Sequence, residues 1–302
     1  MFPKFVIGGA VFNHQYCENP ETLPVKDIIN EAFKQGFKAI DTSPYYGPSE
    51  ELIGNALLQL PYNREEYIIC TKAGRIKLNE FDYSRKNIRY SVERSLKRLN
   101  TSYLDVVYLH DVEFVGKNEI LEALKELELL KQEGIAKNIG ISGYPIEFLY
   151  EIASEYGKLD CILSYCNGCL QNTKLFQYYD KFKDCGVKYI LNGSILSMSL
   201  IRSSRPHAFH PGSQELKDKV YEIAQDLLKN DSIELASLST KYAIENWSIK
   251  YNSPIVLGVS NLKELQTAVD ALNDTKDYSE YYDRFQSLLG SHFNETWSSG
   301  NH

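Results

Sequence analysis

The sequence is short of positive charge: 33 Lys plus Arg stand against 40 Asp plus Glu, a formal net charge of −7 over 302 residues. An acidic chain is a poor electrostatic match for phosphate backbones and anionic lipid, so neither nucleic acid nor a membrane is an expected partner. Long apolar runs are lacking as well. The run near the start, Phe5 to Phe12, is too short for a signal-peptide core with its cleavage site and far too short to span a bilayer, which predicts a cytoplasmic protein. With only six cysteines no disulfide framework is expected, and triplets such as Asn192-Gly-Ser carry no glycosylation meaning in a reducing cytosol. No Gly-x-Gly-x-x-Gly follows any apolar run, so the phosphate turn of a dinucleotide-binding doubly wound sheet is missing.

What is there is a hydrophobic content of 43%, enough to bury a large core, and a regular alternation of patterns. Short β-branched or apolar runs occur at Phe5–Gly8, Ala39–Asp41, Tyr67–Lys72, Leu104–His110, Asn138–Ser142, Cys161–Tyr165, Lys188–Asn192 and Ile255–Gly258. Helical patterns lie between them. In Ser84–Leu99 the residues Ile88, Val92, Ser95, Leu96 and Leu99 share one face, and Glu119–Glu133 repeats Leu121, Leu124, Leu127 and Leu130. Eight strands alternating with helices predict an α/β fold, an eightfold β/α (TIM) barrel, because parallel neighbours need crossover helices. No linker or low-complexity stretch breaks the chain before the polar, Tyr-rich segment after Asn273. The reading is one domain over residues 1–302, with 272–302 a tail on or near the barrel mouth.

Polar residues close several of the strands: Asp41, Lys72, His110, Ser142 and Asn192. In a barrel these carboxyl ends converge on one mouth, where active sites are built. An ionisable group at a buried strand end is costly unless paired, so Asp41, Lys72 and His110 suggest one shared polar site. Tyr46 lies just beyond, in the run Asp41-Thr-Ser-Pro-Tyr-Tyr-Gly47. A phenol is a weak base at neutral pH, and an adjacent ammonium, here Lys72, stabilises the phenolate and lowers its pKa. Asp41 would hold Lys72 charged, and a neutral His110 would hydrogen-bond a substrate oxygen. The alternative is four separately satisfied polar residues.

These residues resemble the Asp/Tyr/Lys/His tetrad of the aldo-keto reductases, from Asp41-Thr-Ser-Pro-Tyr-Tyr-Gly47 through Thr71-Lys72 to Leu109-His110. The likeness runs from about Phe5 to Leu272. Further segments, among them His110-Asp-Val-Glu-Phe114, Gly140-Ile-Ser-Gly-Tyr-Pro145 and His292-Phe-Asn-Glu-Thr-Trp-Ser-Ser-Gly300, are similar to NAD-dependent aldose 1-dehydrogenases of the family. The resemblance implies Tyr46 as general acid/base, Lys72 tuning it, Asp41 paired with Lys72, and His110 orienting the reacting oxygen. It also implies a small-molecule sugar as substrate, with D-arabinose expected, oxidised at C1 to a lactone that would feed erythroascorbate biosynthesis.

For the cofactor, NAD, the resemblance places Ser142 and Gly143 at the nicotinamide carboxamide, although the family usually has Asn where this chain has Gly143. It aligns Asn192 with an aromatic that commonly stacks on the nicotinamide, and Gly193-Ser194-Ile195 with the pyrophosphate turn. Gly258, Val259 and Ser260 end the last strand before a helix whose amino terminus suits phosphate, with Ser260 or Asn261 as a plain N-cap in the alternative. Glu264 stands where NADP-using members tend to place Arg, so a carboxylate there favours NAD unless it is only a solvated helix residue.

Asp111 and Glu113 read either as acceptors of sugar hydroxyls or as ordinary loop charges. Cys161, Cys166 and Cys169 lack partner ligands at metal spacing, so no metal is expected, and His207 and His210 stay unassigned. Trp247 and Trp297 read as packing residues, with a tail folded back over the mouth as the alternative for Trp297. Two rivals to an NAD-dependent aldose dehydrogenase stand: an NADPH-dependent carbonyl reductase, and a cofactor-binding regulatory subunit with the same barrel. Oligomeric state is open.

Overall fold

A computed structural model describes residues 1–301. Eight parallel strands close on themselves in the order β1-β8-β7-β6-β5-β4-β3-β2. They are β1 (Phe5–Gly8), β2 (Ala39–Asp41), β3 (Ile68–Ala73), β4 (Leu104–His110), β5 (Ala136–Gly143), β6 (Cys161–Tyr165), β7 (Tyr189–Gly193) and β8 (Ile255–Gly258). All eight expected strands are present, and the bounds of β3, β5 and β7 differ from expectation by only one or two residues at an end. A ring of helices covers the outer face, so most strand residues are buried on both sides.

The period of two sets which side chains fill the barrel. Val6, Ala39, Cys70, Val106, Tyr108, Cys161, Leu163 and Leu191 form one apolar plug inside it, while Ile7, Ile40, Ile69, Val107, Leu109, Ile141 and Ile190 belong to the core between strands and helices. Two residues beyond the plug, the same inward row becomes polar: Asp41, Lys72, His110 and Ser142 on β2 to β5, with bare Gly8, Gly193 and Gly258 on β1, β7 and β8. The mouth is thus lined by one register position of each strand.

Helix Arg85–Arg98 starts at Ser84, whose hydroxyl accepts the Asn87 N–H, and helix Lys117–Gln132 buries Leu124, Leu127 and Leu130. A short antiparallel hairpin, Arg75–Lys77 with Glu80–Phe81, rises over the mouth after β3 and has no counterpart among the expected elements. The segment after Asn273 is more than a tail. Ser279–Leu289 is a helix that buries Tyr282, Phe285 and Leu289 against Leu216, Val220 and Ile223 of helix Gln214–Asp231, a second apolar cluster outside the barrel. Only the stretch from Phe293 to Asn301 returns to the mouth. Trp247 is buried as expected and stacks on Phe176 at 5.9 Å, its indole N–H donating to Pro254 O.

Among the described residues no helix is long and apolar enough to cross a membrane. If the second cluster is structural, Phe285→Ala loses about 3–5 kcal/mol in urea unfolding, while Leu288→Ala, whose side chain is 42% exposed, stays within about 0.5 kcal/mol. Equal effects of the two changes would contradict the assignment.

Candidate active site

Asp41, Tyr46, Lys72 and His110 meet at the mouth. The Lys72 ammonium donates to Asp41 Oδ1 at 2.5 Å and to Thr42 O at 3.0 Å, and lies 4.8 Å from the centre of the Tyr46 ring. Its positive charge favours the Tyr46 phenolate. The His110 and Tyr46 rings stand perpendicular with centroids 5.5 Å apart. His110 Nδ1 is 2.9 Å from Ser43 Oγ, and Tyr83 donates its hydroxyl to His110 O at 2.7 Å, tying down the end of β4. Beneath Lys72, buried Glu50 accepts the Thr71 hydroxyl at 2.7 Å, and the Ser49 hydroxyl bridges Thr42 and Gly9 O.

Burial opposes the charge on Lys72, yet Asp41 holds its pKa above the ordinary lysine value. Burial, reinforced by Lys72 and Arg75, drives His110 well below the usual range, so the imidazole is neutral. Tyr46 corrects the expectation drawn from sequence. Lys72 does pull its pKa down, but burial outweighs that pull, Asp41 and Asp111 push the same way as burial, and the phenol is pushed up to about 12. The site as it stands keeps Tyr46 protonated, poised as an acid.

Asp111 and Glu113 are not loop charges in water; both are buried. Asp111 sits at φ 57°, in the left-handed region that Asp tolerates better than most residues, and pairs with Arg75 of the hairpin. Its Oδ2 is 3.6 Å from His110 Nε2. Arg75, which carries no mark in the sequence, lies over the Tyr45 ring at 4.0 Å. Glu113 Oε1 accepts Tyr144 N–H, the Tyr165 hydroxyl and the Ser299 hydroxyl, while Oε2 is buried without a hydrogen-bond partner among the described residues. That second oxygen explains the departure at Gly143, where a Cβ would come within 2.5 Å of Glu113 Oε2. Glu113 occupies the space a side chain at 143 would need.

The chain end seals this corner. Asn301 N–H donates to Glu113 O at 2.9 Å, and Trp297 stacks on Tyr144 at 4.8 Å. His210 is buried with its ring nitrogens on Ser197 O and Gly212 N–H, and His207 stacks on Phe209, both against Tyr16 of the first loop. Among the described residues no three His, Cys, Asp or Glu side chains group to hold a metal.

On the cofactor side, Ser142 faces inward and donates to Leu109 O at 3.3 Å. Asn192 is a correction: by the period of two it points outward, between inward Leu191 and Gly193, and its amide donates to Gly168 O at 2.6 Å. It does not reach the mouth, and the inward position is glycine. Ser194, Ser197, Met198 and Ser199 all have positive φ, a strained run held by Met198 N–H on Ser194 Oγ. Helix Leu262–Asn273 is capped by Asn261, which accepts Glu264 N–H at 3.0 Å, while Glu264 Oε2 accepts Ser260 N–H at 2.7 Å. One Glu264 oxygen is therefore engaged by its own loop. Gly193 and Gly258 end their strands on this side, with Val11 packed against Gly258 and Leu163 and Tyr165 against Gly193.

The sequence profile of the Aldo/keto reductase family matches residues 4–288. The chain belongs to this family. Among its relatives, D-arabinose 1-dehydrogenase of Saccharomyces cerevisiae is 48% identical over 98% of this chain and 93% of its own length. L-galactose dehydrogenase of Arabidopsis thaliana is 33% identical over 91% of this chain and 86% of its own. Of solved structures, an aldo-keto reductase from Bacillus halodurans in its holo form superposes with TM-score 0.74 at 21% identity, covering 99% of this chain and 95% of its own, a likeness of fold. This aldo-keto reductase is thus an oxidoreductase of a family that uses nicotinamide cofactors.

Burial and the Asp111 charge push Glu113 up to about 7. The folded chain therefore holds that proton more tightly than the unfolded chain, where the group sits near its ordinary 4.5, and the contribution is full below about 4.5 and lost as pH rises through 7. Thermal melts from about pH 5 to about pH 8.5 should show wild type losing stability relative to Glu113→Gln as pH rises. A constant difference between the two would refute the assignment.

Proposed function

We propose that this protein oxidises an aldose at C1 to the aldonolactone and passes the hydride to NAD, with D-arabinose the preferred sugar, in the cytoplasm. The observation that carries the reading is the buried Lys72–Asp41 pair beside Tyr46, whose ring stands edge-on to a neutral His110 at the barrel mouth. The 48% identity to a D-arabinose 1-dehydrogenase supports the choice of substrate.

In the cyclic sugar C1 carries a hydrogen and a hydroxyl. Tyr46, as phenolate, takes the proton from O1 while the C1–H electron pair leaves as hydride, and the C1–O1 bond becomes the lactone carbonyl. NAD, when bound, supplies the hydride acceptor. Lys72 stabilises the phenolate, Asp41 keeps Lys72 charged and in place, and His110 donates a hydrogen bond to O1. Asp111, aimed by Arg75 and 3.6 Å from His110 Nε2, is suited to accept a sugar hydroxyl next to O1. Ser142 would hold the carboxamide of the nicotinamide; Gly193, Ser194 and Ile195 would hold the pyrophosphate with Gly258, Val259 and Ser260. The Glu264 carboxylate would repel a 2′-phosphate, which favours NAD over NADP.

The intact cluster speaks against a regulatory subunit without turnover. Tyr46→Phe should lose at least about a hundredfold in kcat while still binding NAD, since one oxygen is removed and packing is kept. Unchanged turnover in that variant would restore the regulatory reading. In a screen of pentoses and hexoses, NADH formation with D-arabinose should lead; tighter binding of NADP than NAD would overturn the cofactor assignment. Because Tyr46 must lose its proton to act as base and its pKa lies high, kcat/KM for oxidation should climb from about pH 7 to about pH 10 without a plateau. Reduction, which uses the protonated phenol, should stay level over the same range.

A further inference from the structure

Between Asp41 and Tyr46 lies a residue that none of the chemistry above employs. Ser43 is fully buried, and its Oγ has two neighbours: the Tyr45 N–H at 3.1 Å and His110 Nδ1 at 2.9 Å. An amide N–H only donates, so the serine oxygen accepts from Tyr45 and keeps one proton of its own to place. Among the described residues no other acceptor lies within hydrogen-bond distance of it.

We propose that Ser43 is a positioning residue that fixes the tautomer of His110, its hydroxyl donating to Nδ1 so that Nε2 carries the imidazole proton and presents it to the substrate oxygen. The neutral state of the ring is what gives the tautomer its meaning, since an imidazolium would donate from both nitrogens. The opposite tautomer would leave the Ser43 proton with no partner in a buried site. It would also turn a lone pair of Nε2 toward the oxygen lone pairs at C1, and toward Asp111 Oδ2 at 3.6 Å. With Nε2–H in place the two groups divide the work at one atom: His110 donates to O1 and Tyr46 removes its proton.

This rests on the reading of the site as an aldose dehydrogenase, but its test reads the ring itself. The full chain, labelled with 15N-histidine, is measured with and without NAD, and His110 is assigned by the signals missing in His110→Gln. Wild type should show Nδ1 as the bare, proton-free nitrogen and Nε2 as the protonated one. Ser43→Ala should give a mixture of tautomers and about a tenfold lower kcat with D-arabinose, the weight of one hydrogen bond, with NAD affinity unchanged. Ser43→Thr, which keeps the hydroxyl, should restore both. A wild-type ring protonated at Nδ1 overturns the proposal even should the alanine variant not fold, and so does an alanine variant with wild-type tautomer and kcat. A wild type that oxidises no sugar would instead refute the enzymatic reading and leave the tautomer measurement standing.

Discussion

Two opposite charges at the ends of adjacent strands, Asp41 on β2 and Lys72 on β3, are taken out of water together, and each would be intolerable there alone. Their union costs desolvation on both sides, and removal of either partner strands the other, an effect of about 3–5 kcal/mol. The surroundings are arranged to keep the pair. Thr42 O takes a further Lys72 proton, the Thr42 and Ser49 hydroxyls lock the loop after β2, and Glu50 braces the strand beneath. Tyr46 and His110 then find their places against a fixed ammonium.

That constraint also explains why the proposed active site lies where the plug ends. One row of inward positions runs from Val6, Ala39 and Cys70 through apolar filling and then to Gly8, Asp41, Lys72, His110 and Ser142. Moving any strand by one residue would swap these groups for the isoleucines and leucines that face the helices. Register in the lower barrel is therefore what aims the chemistry above it.

Much of this is legible in the chain. The alternation of eight apolar runs with helical stretches points to the barrel, and polar residues at successive strand ends mark the mouth. Where expectation and structure part, the reasons are physical. β7 is buried on both faces, so no polarity contrast reveals which of Asn192 and Gly193 points inward. The Tyr46 pKa runs against expectation because sequence displays a neighbouring cation and hides the burial that outweighs it. Ser43 and His110 are 67 positions apart, and Glu113 meets Gly143 and Ser299 only through folding. Helix Ser279–Leu289 does leave a trace, the spacing of Tyr282, Phe285 and Leu289, under a polar composition that masks it.

The interlock of Glu113 with Gly143 bears on how such a chain can evolve. A side chain gained at 143 collides with the carboxylate, whereas loss of the carboxylate alone opens a hole and unties Tyr144, Tyr165 and Ser299. Single steps in either direction are penalised, so lineages of this protein should inherit the two positions as a unit, and drift at one should await a matching change at the other.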